Sequence, residues 1–155
     1  MKKLILTLTL LFTCIAFNPL QAAGELDLKQ YHGQVVYVDF WASWCIPCKK
    51  SFPWMNELQQ KYKDQGLKII AINVDENSGD ADKFLEKTPA EFDILRDPEG
   101  KLAAQYKLVG MPTSLLFDTE GKLVSRHVGF KKSKIESYES KIKALLPNST
   151  QSTSE

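Results

Sequence analysis

Two cysteines separated by two residues, Cys45 and Cys48, are the side chains of this 155-residue chain best suited to chemistry. They follow the apolar run 35–40, which predicts a buried strand, and they fall where a helix should begin. The first turn of a helix has unpaired N–H groups and the positive end of the helix dipole, so a cysteine there ionises more readily than a free one. The thiolate is the species that attacks disulfides. Because two intervening residues let the sulfurs bond to each other or separate as a dithiol, the spacing predicts a two-electron redox site.

The start of the chain has the layout of a secretory signal peptide. Two lysines form a basic start, residues 4–17 are mostly apolar, and small residues supply a cleavage site after Ala22 or Ala23. A membrane anchor is the alternative, although the apolar run is short for a bilayer span. We therefore predict a periplasmic protein whose segment 1–23 is cleaved, with a membrane-anchored protein facing the periplasm as the alternative.

Removing residues 1–23 changes the cysteine count and the charge balance. The third cysteine, Cys14, lies inside the apolar run, without the small residues expected before a lipidated cysteine. The mature chain would keep only the redox pair, and its basic residues fall from 20 to 18 against 19 acidic ones. This near-neutral balance gives no indication of a nucleic acid partner or of a polybasic membrane patch.

About 130 residues remain after removal of residues 1–23, enough for one domain. We predict this domain over 24–146 and a disordered polar tail over 147–155.

Strand and helix patterns alternate along the mature chain, which predicts an α/β fold. Residues 67–74 form a second predicted strand, and the strand–helix–strand order favours parallel neighbours joined by a right-handed crossover. Ser133 and Glu136 form a predicted capping box at the start of the last helix. The other predicted elements are an apolar-faced helix from the cysteines to Gly66, a short helix from Asp80, a brief strand at 92–95, a helical turn at 101–106 and a β-hairpin after Gly110.

Three motifs in combination resemble the thioredoxin superfamily. They are VDFWASWCIPCK around the two cysteines, the proline at position 53, and GMPT before the hairpin. The segment SFPWMNEL, the signal peptide and the additional residues between Asp75 and Gly110 make the chain most similar to the exported thiol–disulfide reductases of the TlpA and ResA kind. The resemblance covers nearly all of the mature chain. It implies a thioredoxin-like α/β fold, a central mixed sheet flanked by helices, with the TlpA-type insertion.

The resemblance also implies roles for individual residues. Cys45 would attack the substrate disulfide, and Cys48 would resolve the mixed disulfide and leave an internal one. The peptide bond between Met111 and Pro112 would be cis and would face the cysteines; only X–Pro bonds adopt this form at tolerable cost. A substrate polypeptide could then pair with the exposed backbone of Met111. An ordinary turn proline is the alternative.

Pro47 and Trp44 are expected to influence the redox pair directly. Pro47 stiffens the loop between the cysteines and removes an N–H that could stabilise the Cys45 thiolate. A less stabilised thiolate makes the dithiol a better reductant, and thioredoxin has the same proline, so we predict a reductant. Trp44 is expected to be a partly exposed apolar contact for the substrate. Together with Met111 and Pro112, these two residues form the predicted substrate-binding set.

Asp39 is the predicted proton acceptor for Cys48. It lies on a buried strand, an unfavourable place for a carboxylate that has neither a function nor a partner. It matches the buried acid of thioredoxin, which implies a relay for the resolving thiol's proton, and desolvation should raise its pKa. The alternative is a carboxylate bonded to a nearby hydroxyl or lysine. ResA-like reductases of cytochrome c assembly usually carry Asn at this position and Glu at the position of Ser51, which puts that specialised role in doubt.

The predicted function is the reduction of disulfides in periplasmic protein substrates by an exported monomer that uses no metal and no cofactor. The family analogy implies a membrane electron donor of the DsbD type. Zinc is disfavoured because His32 and His127 are isolated from the cysteine pair. No separate cysteine indicates a peroxiredoxin-like enzyme. Two alternatives stay open: a thiol oxidase or isomerase, and a binding module in which the disulfide is purely structural.

Overall fold

The computed structural model of the chain describes residues 26–147. The predicted signal peptide, 1–23, lies outside the described residues, as does the predicted tail apart from Pro147. Within 26–147, no helix combines the length and the apolar character needed to cross a membrane. The described residues cover all but two residues of the domain predicted over 24–146.

A five-stranded mixed sheet forms the centre of this domain. Its strands are β1 (Val35–Trp41), β2 (Leu67–Asn73), β3 (Asp93–Arg96), β4 (Thr113–Phe117) and β5 (Leu123–Val128). In space their order is β3-β2-β1-β4-β5. β1 pairs in parallel with β2 and antiparallel with β4, while β4 and β5 form an antiparallel hairpin. The predicted parallel pair and the predicted C-terminal hairpin are both confirmed.

Four α-helices occur in the described part of the chain, and they flank the sheet. They are α1 (Ile46–Tyr62), α2 (Ser78–Lys87), α3 (Lys101–Gln105) and α4 (Ile135–Lys143). α1 connects β1 to β2, and Gly66 ends this connection with φ of +93°, a conformation that glycine adopts without steric cost. The segment between Asp75 and Gly110, where the insertion was predicted, contains α2, β3 and α3.

The start of α2 differs from its prediction by two residues. The helix begins at Ser78 rather than at Asp80. The side chain of Asn77 accepts a hydrogen bond from the Gly79 N–H at 3.0 Å and so caps the helix earlier.

The predicted capping box at the start of the last helix is wrong. Ser133 lies within a 3-10 turn (Lys132–Lys134) that leads directly into α4. The N-cap of α4 is therefore Lys134, and no side chain forms a capping hydrogen bond there. Because Ser133 lies inside this turn rather than at the N-cap position, it does not form the predicted capping box with Glu136.

Both faces of the sheet are buried, and alternate residues of β1 serve opposite faces. We call them the α1 face and the opposite face. The α1 face is formed by Val35, Tyr37 and Trp41 of β1 with Phe52, Met55 and Leu58 of α1. The opposite face is formed by Val36, Val38 and Phe40 with Ile70, Ile72 and Leu115. Asp39 occupies an odd-numbered position of β1, so its buried side chain lies on the α1 face.

Candidate redox site

Cys45 and Cys48 lie at the junction between β1 and α1. β1 ends at Trp41, Cys45 is the N-cap of α1, and Cys48 lies in the first turn. The Cys48 N–H donates to the Cys45 Sγ at 3.3 Å, and the Cys45 N–H donates to the Ala42 carbonyl at 3.1 Å. Pro47, in the same turn, has no N–H to donate. The predicted helix start at the redox pair is confirmed, and one amide of the first turn is directed at the Cys45 sulfur.

The two sulfurs are bonded to each other but differ in accessibility. Cys45 and Cys48 form a disulfide, with their Cα atoms 5.3 Å apart. Cys48 is 0% exposed, whereas Cys45 keeps 5%. Trp44 and Ile46, on either side of Cys45, are 69% and 70% exposed. The more exposed cysteine therefore lies between two exposed apolar side chains.

A buried carboxylate that was absent from the sequence predictions holds the segment before Cys45. Asp75 lies two residues beyond the end of β2 and accepts hydrogen bonds from the Ser43 N–H at 2.9 Å and the Ser43 Oγ at 3.1 Å. The Asn73 Nδ2 also donates to it, at 2.8 Å. Because β1 and β2 are parallel, the segments that follow them, which contain Ser43 and Asp75, leave the sheet at the same edge. An acid just past the carboxyl end of a strand is the signal that could have found this anchor.

Asp39 is 1% exposed, and its partner is a hydroxyl. The β1–β4 register places it directly opposite Ser114, whose Oγ donates to the Asp39 Oδ1 at 2.5 Å. The Asp39 Oδ2 has no hydrogen-bond partner. Burial raises the pKa of Asp39 to about 7, and the hydrogen bond from Ser114 offsets part of the rise. The expected rise in pKa is confirmed. The alternative environment for Asp39, a hydrogen bond to a nearby hydroxyl, is also present. The hydroxyl belongs to Ser114, which the sequence did not single out.

The Met111–Pro112 segment lies at the same edge of the sheet as the cysteines. Its peptide bond is cis. Pro112 is buried, and the next residue, Thr113, pairs with Phe40, one residue before the end of β1. The Thr113 Oγ1 donates to the Gly110 carbonyl at 2.6 Å, and Met111 packs against the apolar cluster that includes both cysteines. The fold thus brings this segment and the redox pair to one edge of the sheet.

The two histidines have different environments. His127 lies on β5, and its ring stacks on Tyr138 at a centroid distance of 4.3 Å. Burial, helped by the charges of Lys141 and Lys134, lowers the pKa of His127 to about 4. His32 is exposed before β1. Within the described residues, no three side chains of His, Cys, Asp or Glu are placed to hold a metal ion together.

Known proteins similar to this chain share its redox chemistry. Residues 13–126 match the AhpC/TSA family. The thiol-disulfide oxidoreductase ResA of Bacillus thuringiensis subsp. konkukian is 36% identical over 119 residues, which are 76% of this chain and 69% of that protein.

Solved structures agree with the fold and with the family. The crystal structure of a putative thiol:disulfide interchange protein DsbE from Chlorobium tepidum is 50% identical, with a TM-score of 0.74 over 76% of this chain and 84% of that chain. The thioredoxin domain of a thiol-disulfide oxidoreductase from Bacteroides vulgatus is 25% identical, with a TM-score of 0.65 over 74% and 84%. The predicted thioredoxin-like fold is confirmed. The chain belongs to the AhpC/TSA family, and it is a thioredoxin-like thiol–disulfide oxidoreductase similar to ResA and DsbE.

Proposed function

We propose that this protein reduces disulfide bonds in periplasmic protein substrates by cycling Cys45 and Cys48 between dithiol and disulfide. The observation that carries the proposal is the position of Cys45 as the N-cap of α1, with the Cys48 N–H directed at its sulfur. This hydrogen bond and the helix dipole both favour the thiolate. Cys48, buried one turn further along the helix, is then available to attack the same sulfur from the protein side.

Reduction takes place in two steps. In the first, the Cys45 thiolate attacks one sulfur of the substrate disulfide, forms a Cys45–substrate bond and releases the other sulfur as a thiolate that is protonated by solvent. In the second, Cys48 loses its thiol proton, attacks the Cys45 sulfur and displaces the remaining substrate sulfur, which is also protonated. The substrate gains two electrons and two protons, and the protein is left with the Cys45–Cys48 disulfide.

Asp39 accepts the Cys48 proton in the second step. Its side chain lies on the face of β1 that α1 covers, and Cys48 is buried against the same face. A pKa of about 7 leaves the Asp39 carboxyl group partly ionised at neutral pH. A group poised in this way can take up a proton and give it back within one catalytic cycle.

Trp44, Pro47, Met111 and Pro112 form the proposed contact surface for the substrate polypeptide. Trp44 and Pro47 are exposed beside the Cys45 sulfur, and the Met111–Pro112 segment lies at the same edge of the sheet. An extended substrate segment would pair with the backbone at Met111 and place an apolar side chain against Trp44. Contacts of this kind depend little on substrate sequence, which suits a reductase of many proteins.

A broad substrate range is favoured over a dedicated role in cytochrome c assembly. Reductases specialised for that role usually carry Asn and Glu at the positions that Asp39 and Ser51 occupy here. Ser51 is buried, and its hydroxyl donates to the Cys48 carbonyl at 2.9 Å. The acid that we propose to serve the redox pair is therefore Asp39 on β1, which matches the buried acid of thioredoxin.

We place the protein in the periplasm as a monomer, with residues 1–23 as a cleaved signal peptide and 24–146 as the thioredoxin-like domain. The support is the basic start, the apolar run and the small residues that follow it. An uncleaved anchor facing the periplasm is the alternative.

Because each cycle ends with an oxidised pair, the protein needs two electrons per turnover, and a membrane donor of the DsbD type would supply them.

Reduction of insulin, followed by the precipitation of its freed chains, tests the proposal. With dithiothreitol as the electron source, the wild type should precipitate insulin well above background, and Cys45→Ser should not exceed background, because the attacking sulfur is missing. Equal rates for the two proteins would refute the reductase function.

The reduction potential of the pair then separates the alternatives. A value near that of thioredoxin, about −270 mV, supports a reductant, and a value near that of DsbA, about −120 mV, supports an oxidase. A disulfide that resists dithiothreitol would instead be structural, as expected of a binding module.

A further inference from the structure

The carboxyl group of Asp39 is hydrogen-bonded at one oxygen and free at the other. Its Oδ1 accepts the Ser114 hydroxyl at 2.5 Å, while its Oδ2 has no partner. Asp39 and Ser114 are 1% and 2% exposed, so the free oxygen lies inside the protein. A buried polar atom without a hydrogen bond lowers stability, and native proteins hold few of them. The free oxygen is therefore a candidate for a functional contact.

We propose that Ser114 is a positioning residue for the reduction, one that fixes the Asp39 carboxyl group so that Oδ2 is the oxygen that exchanges a proton with Cys48. The inference rests on the proposed function, in which Asp39 takes the Cys48 proton. It adds the residue that orients this acid and sets the pH range in which it is ionised.

The sheet register makes this contact a fixed feature of the fold. Asp39 and Ser114 are direct partners in the antiparallel pair of β1 and β4. Such partners have Cβ atoms about 4.5–5.5 Å apart, which suits a short bond between a hydroxyl and a carboxylate. A hydrogen bond to a charged oxygen is stronger than one between neutral groups. The hydroxyl therefore restrains rotation of the carboxyl group and also favours its ionised form.

Few other groups near Asp39 change charge around neutral pH. Burial raises the pKa of Tyr37, on the same strand, well above its usual value. The pKa of His127 on β5 lies at about 4, and Tyr138 of α4 stacks on the His127 ring. Cys48, from α1, does not titrate while it is in the disulfide. In the oxidised protein, ionisation of Asp39 is therefore controlled by burial and by the cross-strand hydroxyl.

Carbon-13 NMR titration of the Asp39 carboxyl in the oxidised protein tests the inference directly. The wild type should titrate with a midpoint near 7. Ser114→Ala should raise this midpoint by about one pH unit, because the carboxylate loses one stabilising hydrogen bond. Ser114→Thr keeps a hydroxyl and should stay close to the wild type. Ser140→Ala is the matched control, since it removes an exposed hydroxyl on α4 that bonds only the Ser137 carbonyl, and it should leave the midpoint unchanged.

A second readout connects this ionisation to the reaction. Mixing the reduced protein with 5,5′-dithiobis(2-nitrobenzoate) releases one thionitrobenzoate when Cys45 attacks and a second when Cys48 resolves the mixed disulfide. In Ser114→Ala the second release should slow roughly fivefold at pH 7, the loss of ionised fraction that one pKa unit produces, and its pH profile should move upward with the NMR midpoint. The first release should be unchanged.

The outcomes separate this inference from the proposed function. An unshifted midpoint in a folded Ser114→Ala protein overturns the inference, and so does a shifted midpoint with an unshifted second release. If the wild type gives no first release, the proposed function itself fails. If the wild type gives a normal first release and Ser114→Ala gives either an unshifted midpoint or an unshifted second release, the proposed function stands and only the role of Ser114 is refuted.

Discussion

The two faces of the sheet are both well buried, but they differ in what they bury. Among the described residues, four buried side-chain polar atoms have no hydrogen-bond partner: Asp39 Oδ2, Trp41 Nε1, Trp54 Nε1 and His127 Nε2. All four lie on the α1 face, where the disulfide also lies. The opposite face holds a compact cluster of aliphatic and aromatic side chains. The α1 face thus combines the redox pair with all four of these unpaired polar atoms, whereas the cluster on the opposite face is apolar.

This difference has a consequence for mutagenesis. A buried polar atom without a partner costs about 1–3 kcal/mol, so the α1 face contains groups whose removal can leave stability unchanged or raise it. A well-packed apolar side chain on the opposite face leaves a cavity when it is truncated. Substitutions on the two faces should therefore separate redox chemistry from stability.

A large loss of stability is expected when a buried side chain on the opposite face is truncated. Leu115 is 0% exposed and lies next to Ser114 on β4, with its side chain on the other side of the sheet. Leu115→Ala should lower the free energy of unfolding by about 2–5 kcal/mol, measured by urea denaturation. The Asp39 titration midpoint should stay near 7 in this variant. Leu123→Ala, at a position 45% exposed, is the control and should cost far less. A similar cost at both positions would mean that the buried Leu115 contributes no more to stability than an exposed leucine does.

On the α1 face, Asp39→Asn should remove a pH dependence of stability. The folded pKa of about 7 exceeds the ordinary value of 3.8, so the folded protein keeps a proton that the unfolded chain has lost. Ionisation of Asp39 should therefore lower the free energy of unfolding as the pH rises from about 4 through about 7, by roughly 4 kcal/mol at most. His127 acts in the opposite direction over this range, because its folded pKa of about 4 is lower than its ordinary value of 6.5. Between pH 5 and pH 8, urea denaturation should therefore show a change in the free energy of unfolding that is more negative in the wild type than in Asp39→Asn, since both proteins keep His127. Equal changes in the two proteins would mean that the carboxyl group ionises as freely in the folded protein as in the unfolded chain.

A smaller effect is expected at the edge of the sheet, where Asp75 holds the segment before the redox pair. Asp75→Ala removes both hydrogen bonds to Ser43 and should cost about 1–3 kcal/mol of stability. It should also slow the attack of Cys45 on 5,5′-dithiobis(2-nitrobenzoate), because the segment loses its anchor. The matched control is Asp118→Ala, which removes hydrogen bonds to the Glu120 and Lys122 N–H groups in the β4–β5 turn. The control should lose stability without changing the attack rate; equal slowing in both would deny Asp75 a specific role.

Features set by short stretches of chain were predictable from the sequence. An apolar run followed by a cysteine pair was enough to predict β1, the start of α1 and the N-terminal position of Cys45. The same run predicted a buried Asp39 with a raised pKa. One local signal failed, since the Ser133 capping box was displaced by a 3-10 turn before α4.

Contacts that depend on strand register were not predictable in the same way. Asp39 and Ser114 are 75 residues apart in sequence, and Ser43 and Asp75 are 32 apart. A shift of one residue in the β1–β4 pairing would turn the Ser114 side chain to the opposite face. The register depends on the packing of the whole sheet, so no local pattern marks these serines as partners of the two acids.

We propose that α1 holds the Cys45 sulfur as a reactive thiolate while Cys48 stays buried and protonated. Brief alkylation of the reduced protein with iodoacetamide at pH 7, followed by mass spectrometry of the peptides, measures this difference. Cys45 should be labelled at least roughly tenfold faster than Cys48, and the difference should vanish in denaturant, where both thiols have ordinary pKa values. Equally slow labelling of both cysteines in the folded protein would show that α1 does not activate Cys45.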